Sequence, residues 1–289
     1  MEYPKISIVT PSYNDARFLG ATIRSVLDQG YPNLEYIVID GGSTDGSVEI
    51  IKEFTDRLSY WISEKDKGMY YAIQKGFERT TGEIMGWINS DDMLHPGSLF
   101  TIGQIFGDFS QINWLQGFPN TVDVNGRIVY LSPPDEVDKL FFYERKHDRS
   151  YKYIQQESTY WRRPLWEKAG SHVTTAYKHA GDFDLWIRFF QFERLYNVNA
   201  FIGSFRLSSG GQASTDHYKD YVAETFKILE AFPLTRQELR ALKYRRLFEK
   251  LEHWLFAIKW RTKKLFGAEH TSVYNRRIIF ENKTQKFRM

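Results

Sequence analysis

Apolar and polar positions along the first hundred residues alternate between a strand period and a helix period. Ile6-Ser7-Ile8-Val9-Thr10 is a β-type run that Pro11-Ser12-Tyr13-Asn14 breaks. Phe18, Leu19, Ile23, Val26 and Leu27 then share one helical face, until Gly30 and Pro32 end the pattern. Leu34 to Ile39 is a second strand, apolar enough for burial on both faces. A glycine loop, Asp40 to Gly46, leads into a helix carrying Val48, Ile50, Ile51 and Phe54. Leu58 to Ile62 predicts a third strand, Met69 to Arg79 a helix, and Ile84 to Ile88 a fourth strand stopped by Asn89-Ser90-Asp91-Asp92. Strands separated by helical patterns of this length imply βαβ units and a mostly parallel sheet. Ligands of such sheets bind beyond the carboxyl ends of the strands, where Asp40 and Asp91/Asp92 both fall.

Beyond residue 110 the pattern changes. Asn125-Gly126 between two β-type runs is a hairpin signal. Residues 144–153 are polar and read as a surface loop. Phe183 to Phe192 reads as a helix entered through Gly181-Asp182, and Leu195 to Phe205 contains a strand. From about 218 onward the spacing of Leu247, Leu251, Leu255 and Ile258 predicts helix.

Composition narrows the class. With 289 residues, 42% hydrophobic and 17% aromatic, the chain has enough apolar material for a folded core and is not intrinsically disordered. It has no cysteine, which excludes disulfides, thiolate metal sites and a cysteine nucleophile, and which suits a cytoplasmic setting. The amino terminus lacks a signal-peptide pattern, and no run of 18 apolar residues predicts a membrane span. Charge is uneven: residues 217–289 hold 17 Lys and Arg against 8 Asp and Glu, a net +9, while residues 1–216 carry a net −6. A basic tail mixing Trp, Phe, Lys and Arg suits either an anionic membrane surface or packing on the rest of the fold. Nucleic acid is not expected, because the charge is confined to the tail and no recognition motif accompanies it.

The chain lacks the glycine patterns of dinucleotide and P-loop sites, a nucleophile elbow and an H-E-x-x-H metal motif. Asp91-Asp92 is the most chemical feature. Adjacent carboxylates repel, and hard oxygen donors suit Mg²⁺ or Mn²⁺ shared with substrate phosphates; the plainer reading is a solvated turn in which Asp92 caps the helix near Pro96. Gly41, Gly42 and Gly46 permit close backbone approach to a ligand, or form a simple strand-to-helix turn with Ser43 or Asp45 as cap. Asp182 is either a cleft carboxylate or a helix cap. The histidines show no ligand spacing and are not expected in the site.

Taken together, SIVTPSYNDARFLGATIRSVLDQGYPNLEYIVIDGGSTDGS, SEKDKGMYYAIQKGF, TGEIMGWINSDDMLHPGSL, QQESTYWRRPLWEKAG and AGDFDLWIRF resemble the family 2 glycosyltransferases over roughly residues 5–215. The resemblance implies a GT-A fold, a Rossmann-like mostly parallel sheet flanked by helices. A nucleotide-sugar-binding half would span 1–110, an acceptor half 111–215, and a basic helical extension 216–289. It implies inverting transfer from a nucleotide-diphosphate sugar, with a UDP-sugar as first candidate, to a glycan or lipid-linked acceptor in bacterial cell-surface polysaccharide synthesis.

Pro11, Tyr13 and Asp40 would line the base pocket, with Asp66 near it. Ser90 would contact the nucleotide sugar, Asp91 would approach the ribose or metal, and Asp92 would ligate Mg²⁺ or Mn²⁺. Asp182 would be the general base, and Arg206 would lie near donor or acceptor. The family's second loop carboxylate is Gly41 here, Asn89 replaces the first Asp of its D-x-D motif, and Gly181 replaces the Glu of its E-D pair. A nucleotidyltransferase would need a basic glycine-rich loop that Ser12-Tyr13-Asn14 does not supply. A catalytically silent module would recruit partners or membrane through the basic tail.

Overall fold

The computed structural model describes residues 3–131, 137–144, 153–207, 217–248, 277–281, 284 and 286–288. The expected alternation is present at the amino end as β1 (Ile6–Ser12), α1 (Ala16–Leu27), β2 (Leu34–Asp40), α2 (Ser47–Glu53), β3 (Tyr60–Ser63), α3 (Met69–Phe77) and β4 (Ile84–Trp87). β5 (Met93–Leu94), α4 (Ser98–Asp108), β6 (Trp114–Gln116) and the hairpin of β7 (Asn120–Val122) and β8 (Ile128–Leu131) follow. The chain continues through α5 (Lys139–Tyr143), β9 (Thr159–Arg162), α6 (Arg163–Lys168), α7 (Gly181–Phe189), β10 (Tyr196–Val198), β11 (Gly203–Arg206) and α8 (Tyr218–Ala231). A further helix, α9, covers 236–248, and the last described strands are β12 (Arg277–Glu281) and β13 (Lys286–Arg288).

Among the described residues, nine strands form the main sheet in the order β13-β12-β10-β6-β9-β4-β1-β2-β3. β1, β2, β3 and β4 run parallel, and the antiparallel β9 is inserted between β4 and β6. A second sheet has the order β5-β11-β7-β8. Side chains of one strand alternate between the two faces. Ile6 and Ile8 therefore join α1 and α4 in one core, with Leu19, Ile23 and Ile102. Val9 joins the opposite core, with Ile73, Phe77 and four fully buried tryptophans: Trp87, Trp114, Trp161 and Trp186. Burial on both faces is why these strands read as nearly continuous apolar runs.

Two expectations change. The stretch from 195 to 205 holds two strands, because Ala200 and its neighbours turn the chain from the main sheet into the smaller one. The carboxyl extension is helical at 218–231 and 236–248, but β12 pairs in parallel with β10 and continues the main sheet. Most of the loop read at 144–153, and the aromatic, basic stretch around Trp254 to Phe266, lie outside the described residues. Among the described residues, no helix is long and apolar enough to cross a membrane.

Candidate active site

The carboxyl ends of β1, β2 and β4 open onto a cleft of about 1000 Å³. Parallel strands feeding helices on alternate faces leave such a crevice where the connections diverge. Pro11 to Phe18 form its floor. Gly41, Gly42 and Asp45 follow β2, Asp66 and Gly68 to Tyr70 open α3, and Asn89, Ser90 and Asp91 follow β4. The rest of the lining comes from Gln156, which is tied to the end of β4 through the Trp87 carbonyl, and from Lys178, His179, Asp182 and Tyr221.

The loop after β2 is organised by Asp40, which is completely buried. Its Oδ2 accepts hydrogen bonds from the Gly42 and Ser43 amides at 3.0 and 2.9 Å and from the Ser63 hydroxyl at 2.6 Å. Oδ1 accepts from the Ser43 hydroxyl. Gly42 has φ +83°, a left-handed conformation that glycine adopts without steric cost. Asp40, expected in the base pocket, thus supports the loop from beneath, and its carboxylate is not on the cleft surface. Asp66 is on it: a Cβ added at Gly41 would stand 3.1 Å from the Asp66 Oδ2. The Asp66 carboxylate, from a neighbouring loop, thus occupies the space beside Gly41. Asp45 caps two helices, accepting from Ala16 at the start of α1 and from Ser47 at the start of α2.

Asp91 and Asp92 face different surroundings. Asp91 lines the cleft. Asp92 is fully buried, its Oδ1 accepting the Arg206 amide at 2.9 Å and its Oδ2 lying 3.3 Å from the Asn89 amide nitrogen. Burial and the nearby Asp91 and Glu157 carboxylates hold Asp92 well above the usual carboxylate range. The Thr22 hydroxyl sits 2.7 and 2.6 Å from the Ser90 and Asp92 carbonyls. Arg206, itself buried, donates through Nε to the Asp91 carbonyl at 2.7 Å and lies over the Phe18 ring. Asp92 and Arg206 therefore brace the loop from behind and do not line the cleft. Pro11, Tyr13, Asp66, Ser90, Asp91 and Asp182 do.

Asp182 enters on the first turn of α7. The Tyr70 hydroxyl lies 2.9 Å from the His179 carbonyl and 3.3 Å from the Asp182 carboxylate, and Tyr221 also hydrogen-bonds that carboxylate. Burial pushes the Asp182 carboxyl up to about 6, against the opposing effect of these phenols. Gly181, where the resembled family has Glu, has a local reason: a Cβ there would meet the Tyr70 ring at 2.8 Å.

Sequence reasoning missed several groups here. Asp15 lines the cleft and is raised to about 6 by burial, with a hydrogen bond to Ser90 opposing. Glu157 is raised to about 8, again chiefly by burial. Tyr70, Tyr221 and Gln156 were missed as well. Asp15, Tyr70, Gln156 and Glu157 each lie inside one of the quoted segments without standing out there; Tyr221 lies outside all of them and meets the site by tertiary contact alone.

Crowded carboxylates with raised proton affinity suit a divalent cation. Asn89 and Gln156 line the cleft with Asp91, and Asn89 Oδ1 and Gln156 Oε1 are buried without a hydrogen-bond partner; carboxylate and amide oxygens are hard donors of the kind Mg²⁺ or Mn²⁺ takes. Among the described residues, His179, His217 and Asp220 also bring three ligand atoms within 4.8 Å of one another.

This α/β architecture, with a carboxylate-lined cleft at the strand ends, is the GT-A fold. Residues 7–176 match Glycosyl transferase family 2, and the chain belongs to that family. It is 33% identical over 144 residues to an uncharacterized glycosyltransferase of Rickettsia bellii, covering 48% of this chain and 21% of that protein. It is 36% identical over 92 residues to the putative teichuronic acid biosynthesis glycosyltransferase TuaG of Bacillus subtilis, covering 31% of this chain and 36% of TuaG. The chain thus spans well under half the length of these relatives. Among solved structures, S. aureus TarS 1-349 in complex with UDP-GlcNAc superposes with TM-score 0.60 at 17% identity, covering 79% of this chain and 73% of that one. The mannosyltransferase PcManGT from Pyrobaculum calidifontis, in complex with GDP-Man and Mn2+, superposes with TM-score 0.57 at 17% identity, covering 78% and 65%.

Proposed function

We propose that this chain transfers a sugar from a nucleotide-diphosphate donor to a glycan or lipid-linked acceptor with inversion at the anomeric carbon. The observation that carries the reading is the pair of carboxylates lining one cleft, Asp91 after β4 and Asp182 at the start of α7. Pro11, Tyr13, Gly41 and Asp66 form the end suited to a nucleotide base. Asp91, with Asn89 and Gln156, is the set that would hold Mg²⁺ or Mn²⁺; the ion supplies Lewis-acid stabilisation of the departing diphosphate. This reading moves the metal-ligand role from Asp92 to Asp91, because only Asp91 reaches the cleft.

Asp182 accepts the proton of the acceptor hydroxyl as that oxygen attacks. A carboxyl held near 6 is ionised at neutral pH and is a stronger base than an ordinary aspartate, so it is matched to the task. One base and one displacement give inversion. A UDP-sugar is the first donor to test, supported by the UDP-GlcNAc bound to TarS, and GDP-mannose the second, supported by PcManGT. TuaG supports a role in cell-surface polysaccharide synthesis.

Calorimetric titration with UDP, GDP and dTDP, each with and without Mn²⁺, tests the donor side. Metal-dependent binding of one nucleotide, lost in Asp91→Asn, is the expected result. Failure of all three to bind removes the donor reading and favours a silent module. The basic tail supports peripheral contact at the inner face of the cell membrane, and absence of binding to anionic vesicles at low salt ends that part of the proposal.

A further inference from the structure

Helix α8 begins beyond residue 176, where the family match ends, and beyond 215, where the resemblance to the family ends. It is nonetheless part of the cleft wall through Tyr221. One turn further, Glu224 turns its carboxylate onto three successive backbone N–H groups. Its Oε1 accepts from Lys178 at 3.0 Å, and its Oε2 accepts from His179 at 2.8 Å and Ala180 at 2.9 Å. These amides lead directly into α7. A helix start leaves backbone donors without intrahelical partners, and a polar side chain at the cap position usually takes one. The cap position here is Ala180, which makes no side-chain cap. Glu224 supplies the missing acceptor from 44 positions away and fixes the entry of the helix that carries Asp182.

Tyr221 and Glu224 are three apart, so they share one face of α8. One contact of that face sets the backbone beneath Asp182, and the other holds its carboxylate directly. We propose that Glu224 and Tyr221 are positioning residues for Asp182. The inference rests on the reading of Asp182 as the general base, and it makes α8 an obligatory part of the catalytic unit. Among the described residues, the other titratable groups around Asp182 and its partners include Tyr70 from α3, Tyr153 and Glu157 before β9, Lys178 and His179 on its own loop, and His217, stacked on His179.

The test uses the full chain and four variants: Asp182→Asn, Glu224→Gln, Glu224→Ala and Tyr221→Phe. Turnover is followed as nucleotide release from UDP-GlcNAc, UDP-glucose and GDP-mannose with Mn²⁺, water serving as acceptor. Glu224→Ala should lower kcat roughly 10- to 100-fold, the scale of an ångström-sized misplacement, with donor KM and nucleotide Kd within about twofold. Glu224→Gln keeps one acceptor oxygen and should fall between. Tyr221→Phe removes a hydrogen bond to the ionised carboxylate, so the acid limb of kcat should move to higher pH.

An inactive Asp182→Asn beside Glu224→Ala and Tyr221→Phe that keep wild-type kcat and pH profile overturns the positioning inference and leaves the base assignment standing. Wild-type turnover in Asp182→Asn overturns the base assignment itself. If turnover with water is too slow to follow, two readouts decide without it. Amide exchange at 178–180 should accelerate in Glu224→Gln while β1 and β2 stay protected. The carboxyl ¹³C titration of Asp182 should move upward in Tyr221→Phe. No change in both overturns the proposal.

Discussion

The two walls of the cleft are built on different principles. The wall at the ends of β1, β2 and β4 is local: each functional side chain stands within a few residues of a strand end and is braced by its own loop, as Asp40 braces Gly42 and Ser43. The wall around Asp182 is assembled from Tyr70, Asp182, Tyr221 and Glu224, which belong to three helices. On the proposed reading, the local wall would hold a fixed feature such as a diphosphate and its cation, whereas the assembled wall would aim one proton acceptor and give way when any contributor moved.

The largest effect should come from Asp182→Asn. Loss of a general base removes roughly 10²–10⁴-fold of rate. The comparison requires nucleotide binding to survive, since the opposite wall is untouched. A calorimetric Kd within about twofold of wild type, with transfer abolished, separates the walls; loss of binding in this variant would join them.

The adjacent carboxylates come next. Asp91→Asn should weaken Mn²⁺-dependent nucleotide binding by about 10- to 100-fold and leave the melting temperature nearly unchanged. Asp92→Ala should do the reverse. It strands the buried Arg206 amide, an unsatisfied donor costing about 1–3 kcal/mol, and lowers the melting temperature by several degrees. If Asp92→Ala melted normally and lost the metal dependence instead, Asp92 would be the ligand after all.

Legibility followed the same division. β1 to β4 and the helices between them lie within about two residues of their expected limits, because strands buried on both faces leave long apolar runs and glycine or proline marks their ends. β9 stayed hidden: Thr159-Tyr160-Trp161-Arg162 looks like motif sequence and pairs antiparallel to its neighbours for tertiary reasons. β12, short and set in a basic aromatic tail, read as helix. In the site, the motif residues identified the right loops but not which way each side chain turns. Asp91 and Asp92 are indistinguishable as letters, and Asp40, Asp92 and Arg206 brace the loops from within. Glu224 had no local signal at all, since its partners are backbone amides 44 to 46 positions away.

A smaller effect concerns pH. With the Asp182 carboxyl near 6, kcat should rise with pH through that value and level off above 7. The same shift has a stability consequence. A carboxyl whose folded-state affinity for protons is raised leaves the fold unpenalised below about pH 4, and the penalty grows until it is complete above 6. Asp182→Asn should therefore match wild type in stability near pH 4 and exceed it at pH 8, by up to about 2 kcal/mol. Equal stability at both values would mean that Asp182 is not strained by its burial.

The most delicate contrast is Gly181→Ala. The donor wall tolerates its own departure at Gly41 because Asp66 fills the space from another loop. At Gly181 the space is filled by the Tyr70 ring, whose hydroxyl reaches both the His179 carbonyl and Asp182. A methyl group there must push the ring aside, an overpacking cost of about 1–3 kcal/mol, and the displaced phenol no longer steadies the base. kcat should fall several-fold with nucleotide affinity unchanged, and Tyr70→Phe should lower it by a similar factor without the loss of stability. The double variant decides how the effect travels. If Gly181→Ala acts through the phenol, adding Tyr70→Phe lowers kcat no further; if the two factors multiply, the methyl group disturbs the α7 entry that Glu224 holds, and the assembled wall depends more on its backbone than on its ring contacts.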